Sequence, residues 1–295
     1  AFMEKKFMKD LNEKFKMNES KVIWDRSADI SPGTEFMEKL SNRIIKAMKE
    51  KTFQQHNKDM KIIFNNGNTP GEGEHKFLGL LRDMRKMESK KDDKIYLYGR
   101  DAALIIFSNE QTMLIDAGNR NRREDWGERV VIPVLNHFGI SKLNWTVMSH
   151  PHADHIGGLV SLVESIPTDT LLDTYSGYGS WTYNHLIERY SDLGTVIKNP
   201  KAGETLNISP MESIQYFAPD SIFSVNQHNV NNASIVFKLN IGTKSFLFTG
   251  DLEHEGDDAL AKFGDNLKVD ILKVGHHGSI TSTTEKVFSI IEPEL

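Results

Sequence analysis

Four apolar, strand-forming runs in this chain each end in an aspartate or a histidine, and that recurrence constrains the fold more than any composition value. Trp145-Thr146-Val147-Met148 leads into His150-Pro151-His152-Ala153-Asp154-His155, which places three imidazoles and a carboxylate within six residues. Ser245–Phe248 runs into Thr249-Gly250-Asp251, and Ile271–Val274 into Gly275-His276-His277-Gly278-Ser279. Thr112–Ile115 runs into Asp116-Ala117-Gly118. Successive side chains of an extended segment alternate, so His150 and His152 point the same way, and the chain must turn before Asp154 and His155. Four strands that finish in metal-ligating groups converge when their tips share one sheet edge, the usual ligand position of layered α/β folds. Imidazole and carboxylate together suit zinc, iron or manganese, and two such sets side by side suit a pair of metals.

Composition narrows the setting. The chain has 295 residues, of which 38% are hydrophobic, and it has no cysteine. Any metal must therefore bind nitrogen and oxygen donors, and the lack of thiols fits a reducing, cytoplasmic compartment. No run approaches the ~18 apolar residues of a membrane span, and the first residues lack the apolar core of a signal peptide. Residues 1–100 carry 22 basic and 16 acidic groups, against 14 and 25 in the remainder. That asymmetry indicates two pieces of different task, with a boundary expected near residue 93.

The set of motifs resembles the metallo-β-lactamase superfamily, whose mark is His-x-His-x-Asp-His followed by Gly-Gly; Ile156-Gly157-Gly158 follows here. Within it, Gly99–Ile105, Leu114–Gly118, Asn231–Val236, Phe248–Asp251 and Lys273–Ser279 resemble, in order, the hydrolase domain of ComEC-type competence proteins. The resemblance implies an α/β fold over 94–295, an αββα sandwich of two sheets between helices, C-terminally shortened and preceded by an N-terminal α/β fragment. It also implies the ligand set. His150 and His152 would bind a first divalent metal; Asp154, His155 and His276 a second; and Asp251 both. Asp116 would orient the ligands without touching metal. His277 is left as a candidate proton donor, and Asp154 as a group that orients the hydroxide held between the metals. His276 and His277 remain open as alternatives for the ligand position. Superfamily members with one more histidine would find it here at His185 or His228.

The first hundred residues have their own resemblance. Ile30–Met37, Pro70–Lys76 and Tyr98–Ile105 resemble three successive motifs of Xrn-type 5′→3′ exoribonucleases, in which Glu72, Glu74 and Asp101 would be acidic metal ligands. Ala103 stands where that family has a second aspartate. Residues 1–93 are therefore expected to be an Xrn-like piece without an active site of its own, holding helices near 2–17 and 35–52 and a strand over 59–64. The two resemblances overlap at 94–106.

The resulting expectation is a hydrolase with two divalent ions, zinc first and manganese or iron as alternatives. It would act on a phosphodiester of nucleic acid or on a small phosphoester, with Asn231, Asn232, Ser234 and Arg120 lining the pocket and no membrane partner. Two alternatives stand beside it: hydrolysis of a lactam, lactone or thioester on the same centre, and an inactive metal-binding chimera.

Overall fold

The computed structural model describes residues 61–65, 94–98, 102–174, 177–219 and 229–293. The helices expected near 2–17 and 35–52, and Glu72, Glu74, Asp101 and His228, lie outside them.

Among the described residues, seven strands form one sheet in chain order: β1 Lys61–Asn65, β2 Lys94–Tyr98, β3 Ala102–Ile106, β4 Thr112–Ile115, β5 Leu143–Val147, β6 Thr168–Leu172 and β7 Val196–Lys198. A second sheet holds β8 Thr205–Ser209, β9 Glu212–Ala218, β10 Val236–Ile241, β11 Lys244–Phe248 and β12 Ile271–Lys273, in the order β12-β11-β10-β9-β8. Helices α1 Ile132–His137, α2 Ala153–Ile156, α3 Leu159–Val163, α4 Trp181–Asp192, α5 His254–Leu260 and α6 Glu285–Ile291 complete it. A π-turn, Gly127–Val131, leads into α1. β1 pairs in parallel with β2, so the short segment at 61–65 extends the edge of the first sheet.

Side-chain parity builds the layers. On β3 and β4, Ala103, Ile105, Met113 and Ile115 face inward and pack with Ile214, Tyr216, Phe237, Leu239, Phe246 and Phe248 of the second sheet. Their alternates Ala102, Leu104 and Leu114 face the other way, against Val134, Leu135, Leu159, Leu162 and Leu186 of the helices. On the second sheet, Phe217, Val236 and Leu247 turn outward onto Leu260, Val287, Phe288 and Ile291. The interior strands β3, β4, β10 and β11 are apolar on both faces because each sheet is covered twice, once by its partner sheet and once by helices. The αββα architecture expected from the sequence is the one observed, and the strands expected at 112–115, 145–148, 245–248 and 271–274 agree to within a few residues.

Pairing direction decides where the site forms. β4 is parallel to β5, and β11 to β12, so all four C-terminal ends lie on the same edges of their sheets. The Asp116 amide donates to Val147 O at 2.9 Å, and the His276 amide to Gly250 O at 3.1 Å, which ties neighbouring tips together. Across the sandwich, the Ile235 amide donates to Ser149 O at 2.8 Å, joining the second sheet to the β5 tip.

Gly158 lets the β4 loop approach the helix that follows the His-rich turn. A Cβ there would lie 2.2 Å from Ala117 O and 2.6 Å from Gly127 N, both rigid backbone atoms. Gly158→Ala is expected to destabilise the protein by about 3 kcal/mol, because overpacking against backbone cannot be relieved by a rotamer change. In a thermal melt that is a Tm lower by about 6–12 °C. A melt indistinguishable from the parent's would remove the close-approach claim.

Candidate metal centre

His150 follows β5 in the buried turn Ser149-His150-Pro151, and its side chain is fully buried. His152 precedes α2, whose first turns carry exposed Asp154 and buried His155. Asp251 leaves β11 through Gly250, which has φ +53°; a Cβ at Gly250 would lie 2.7 Å from Ser234 Oγ. Glycine is needed here for both reasons, since L side chains rarely adopt that φ and the space is filled. His276 and His277 leave β12 with φ +45° and +54°.

The histidines meet around one carboxylate. Asp251 Oδ2 lies 3.1 Å from His155 Nε2, 3.3 Å from His277 Nε2, and 3.9 Å from both His150 Nε2 and His276 Nε2. His150 Nε2 is 3.1 Å from His152 Nδ1. His277 Nε2 is 3.6 Å from Asp154 Oδ2. Among the described residues, His150–His155–Asp251 and Asp154–His155–His277 each offer three ligand atoms within 4.8 Å of one another. These sets hold four of the six candidate ligands, His150, Asp154, His155 and Asp251, together with His277; His152 lies beside His150, and His276 is farther from Asp251 than His277 is.

A cation fits this donor set. Asp116 Oδ2 accepts from His155 Nδ1 at 2.9 Å, so in the neutral ring the proton sits on Nδ1 and the lone pair on Nε2. Its Nε2 lone pair then faces Asp251 Oδ2, an acceptor meeting an acceptor at 3.1 Å. Asp251 Oδ1 is also buried with no hydrogen-bond partner among the described residues. A single proton could relieve the His155 contact but not the other nitrogens aimed at the same oxygen. Bonds of 2.0–2.1 Å to a tetrahedral metal separate its ligands by about 3.3 Å, close to the His155–Asp251 separation of 3.1 Å.

Charge states agree with that reading. Burial, reinforced by neighbouring His155, holds the His150 pKa well below its usual value, so its ring is neutral and can coordinate. Burial alone would raise Asp251, but the imidazoles of His155, His150 and His277 around it outweigh that and leave the carboxyl well below the usual range. Asp154 is lowered as well, chiefly by its hydrogen bond with His277.

Asp116, buried and at φ +52°, organises the centre from below. Ser149 donates to it twice, from N to Oδ1 at 2.8 Å and from Oγ to Oδ2 at 2.6 Å. Ser149 Oγ also lies 3.2 Å from His150 Nδ1, so this serine links the two buried histidines. Its role was absent from the sequence reading, although its place immediately before His150 was the available signal.

Of the expected pocket residues, Ser234 is fully buried and accepts from the Asp251 amide at 3.0 Å, beneath the centre rather than lining it. Asn232 is buried too, accepting from the Glu253 amide at 2.9 Å. Asn231 donates to Glu253 at 3.1 Å and keeps a buried Oδ1 without a partner among the described residues. Arg120 is exposed and paired with Asp125 at 2.8 Å. His185 stacks on exposed Trp181, centroids 4.7 Å apart. Tyr178 packs edge-on to His152. A cavity of about 640 Å³ is lined by Asp173, Gly177, Asn184, Ser191, Lys198 and Asn199, among others. None of the six candidate ligands lines that cavity.

Residues 95–294 match the Metallo-beta-lactamase superfamily. The chain belongs to that superfamily. Residues 2–114 match the XRN 5'-3' exonuclease N-terminus, so the two matches share 95–114, which include β3. ComE operon protein 3 of Bacillus subtilis is 30% identical over 168 residues, covering 57% of this chain and 21% of that protein. Recombination protein 2 of Haemophilus influenzae is 29% identical over 199 residues, 67% of this chain and 22% of that protein. Over 82 residues the chain is 34% identical to 5'-3' exoribonuclease 1 of Saccharomyces cerevisiae, 27% of this chain and 5% of that protein. The chain spans about a fifth of the two bacterial relatives. It is thus a metallo-β-lactamase domain related to the competence-protein group, with a buried His/Asp metal site and an N-terminal exonuclease-like match. No helix among the described residues is long and apolar enough to cross a membrane.

Proposed function

We propose that this domain is a phosphodiesterase that works with two divalent cations, zinc first, and acts on nucleic acid or a related phosphoester. The observation that carries it is the convergence of His150, His155, His276 and His277 nitrogens on the buried Asp251 carboxylate, with Asp154 grouped beside His155 and His277. In this reading His150 and His152 would hold one ion and Asp154, His155 and His276 the other, with Asp251 available to both. Bound there, such a pair lowers the pKa of water toward neutrality and neutralises charge on a phosphate. Asp154, ionised and exposed, would orient the attacking water, whose proton passes to solvent as its oxygen bonds to phosphorus. His277, beside it, gives a proton to the leaving oxygen as the ester bond breaks. Arg120, exposed and paired with Asp125, would offer a guanidinium to a phosphate in place of that carboxylate. The name of the Haemophilus relative, a recombination protein, supports a nucleic-acid substrate.

The test is hydrolysis of bis-p-nitrophenyl phosphate and of a short DNA strand, with a lactam, a lactone and a thioester as comparison substrates. Turnover of the phosphodiesters that is lost on chelation and restored by zinc or manganese is the expected result. Turnover confined to the lactam, lactone or thioester would refute the substrate class.

A further inference from the structure

Glu253 stands two residues beyond Asp251, outside the six candidate ligands, and its carboxylate is among the most heavily bonded near the centre. Oε1 lies 3.1 Å from His276 Nδ1 and accepts from Thr281 Oγ1 at 3.3 Å. Asn231 Nδ2 donates to the same oxygen at 3.1 Å, while Asn229 Nδ2 donates to Oε2 at 2.7 Å. The Glu253 amide is held by Asn232 Oδ1. Four side chains and one backbone bond therefore fix where this carboxylate points, and it points at the outer nitrogen of His276. Thr281 Oγ1 is also 2.9 Å from His276 Nδ1. With its own hydrogen given to Glu253, that hydroxyl presents a lone pair to the ring, so both neighbours of Nδ1 are acceptors.

We propose that Glu253 is a positioning residue: it holds the proton of His276 on Nδ1, leaving the Nε2 lone pair aimed at the Asp251 side of the centre. Two acceptors around Nδ1 exclude the other neutral tautomer, which would face lone pair against lone pair. The same device acts on His155 from the opposite sheet, where Asp116 occupies Nδ1. A carboxylate behind each ring raises its basicity and fixes its orientation toward a metal. Glu253 also distinguishes the two adjacent histidines, because among the described residues its ring contact is with His276. The inference rests on the metal-centre reading above and adds to it the residue that makes His276 a competent ligand.

The test compares zinc affinity, by competition with a chromophoric chelator, in the full chain and its variants. Glu253→Ala is expected to weaken zinc binding by about 10–100-fold. Glu253→Gln is expected to recover part of the loss, because an amide oxygen still accepts from Nδ1–H. It also serves if the alanine variant does not fold. Asn229→Ala, which removes another Glu253 partner without touching His276, is expected to change affinity by less than about threefold. The double variant Glu253→Ala/His276→Ala is expected to bind zinc no worse than His276→Ala alone, since one residue acts through the other. Ring-¹⁵N NMR of the zinc-loaded protein is expected to show His276 protonated at Nδ1, and to lose that single-tautomer signature in Glu253→Ala. Unchanged affinity in both Glu253 variants, or additive losses in the double variant, overturns the proposal. Zinc bound without phosphodiester turnover would sink the phosphodiesterase reading alone and leave these comparisons decisive. Wild-type protein that takes up no zinc overturns both.

Discussion

Asp251→Ala is expected to reduce the zinc content of the purified protein to background and to abolish turnover, a loss on the order of 10³-fold or more if water is no longer activated. The reason is positional. Asp251 Oδ2 is the one atom that His155, His277, His150 and His276 all approach, at 3.1 to 3.9 Å. Without it those nitrogens surround a gap with no anionic oxygen, and two cations bound side by side would repel unscreened. Asp251→Asn separates charge from shape. It keeps the volume and the backbone N–H bond to Ser234, and is expected to lose metal nearly as completely. Parent-like zinc content in both variants would show that the histidines hold the ions without this carboxylate, and the proposed centre would have to be redrawn.

The second large effect is expected at Asp116, which the site uses from beneath. Asp116→Ala leaves Ser149 N, Ser149 Oγ and His155 Nδ1 without their acceptor in a buried setting. Removing one partner from such a network costs about 3–5 kcal/mol, or a Tm lower by about 6–20 °C. Because a melt of metal-free protein reports this cost without any contribution from bound ions, it isolates the structural part. Zinc affinity, measured separately, is expected to fall by about 10–100-fold, since His155 loses the group that sets its tautomer. Asp116→Asn is the informative companion. Asparagine tolerates the left-handed backbone at φ +52° better than alanine, so it preserves the turn while replacing one acceptor oxygen by a donor amide. A metal-free melt of Asp116→Ala within a degree of the parent's would refute the claim that this aspartate holds the β4 and β5 tips together.

The overlap of the two family matches has a structural counterpart. β3 lies in both matched ranges, and in the structure it is an interior strand of the first sheet, its alternate residues serving both cores. Ala103, where the exonuclease resemblance would place a second carboxylate, is buried among Ile105, Met113 and Phe237. A charge there would face an apolar inter-sheet core, a costly position for an unpaired carboxylate. The alanine suits the sandwich.

Much of this protein was legible in its residue order. The apolar runs at 112–115, 145–148, 245–248 and 271–274, each followed by an aspartate or a histidine, announced strands whose ends carry donors, because alternation and turn chemistry act over a few residues and need no knowledge of the rest of the chain. Tertiary structure decided what spans longer distances. Whether His155 Nε2 meets an oxygen 96 positions away, whether Ser234 lines the pocket or lies beneath it, and whether Glu253 backs a ring are outcomes of packing two sheets face to face. A side chain's neighbours across a sandwich depend on strand register and inter-sheet placement, which local pattern does not encode. The parallel pairing of β4 with β5 and of β11 with β12 turned separate donor-bearing ends into one centre.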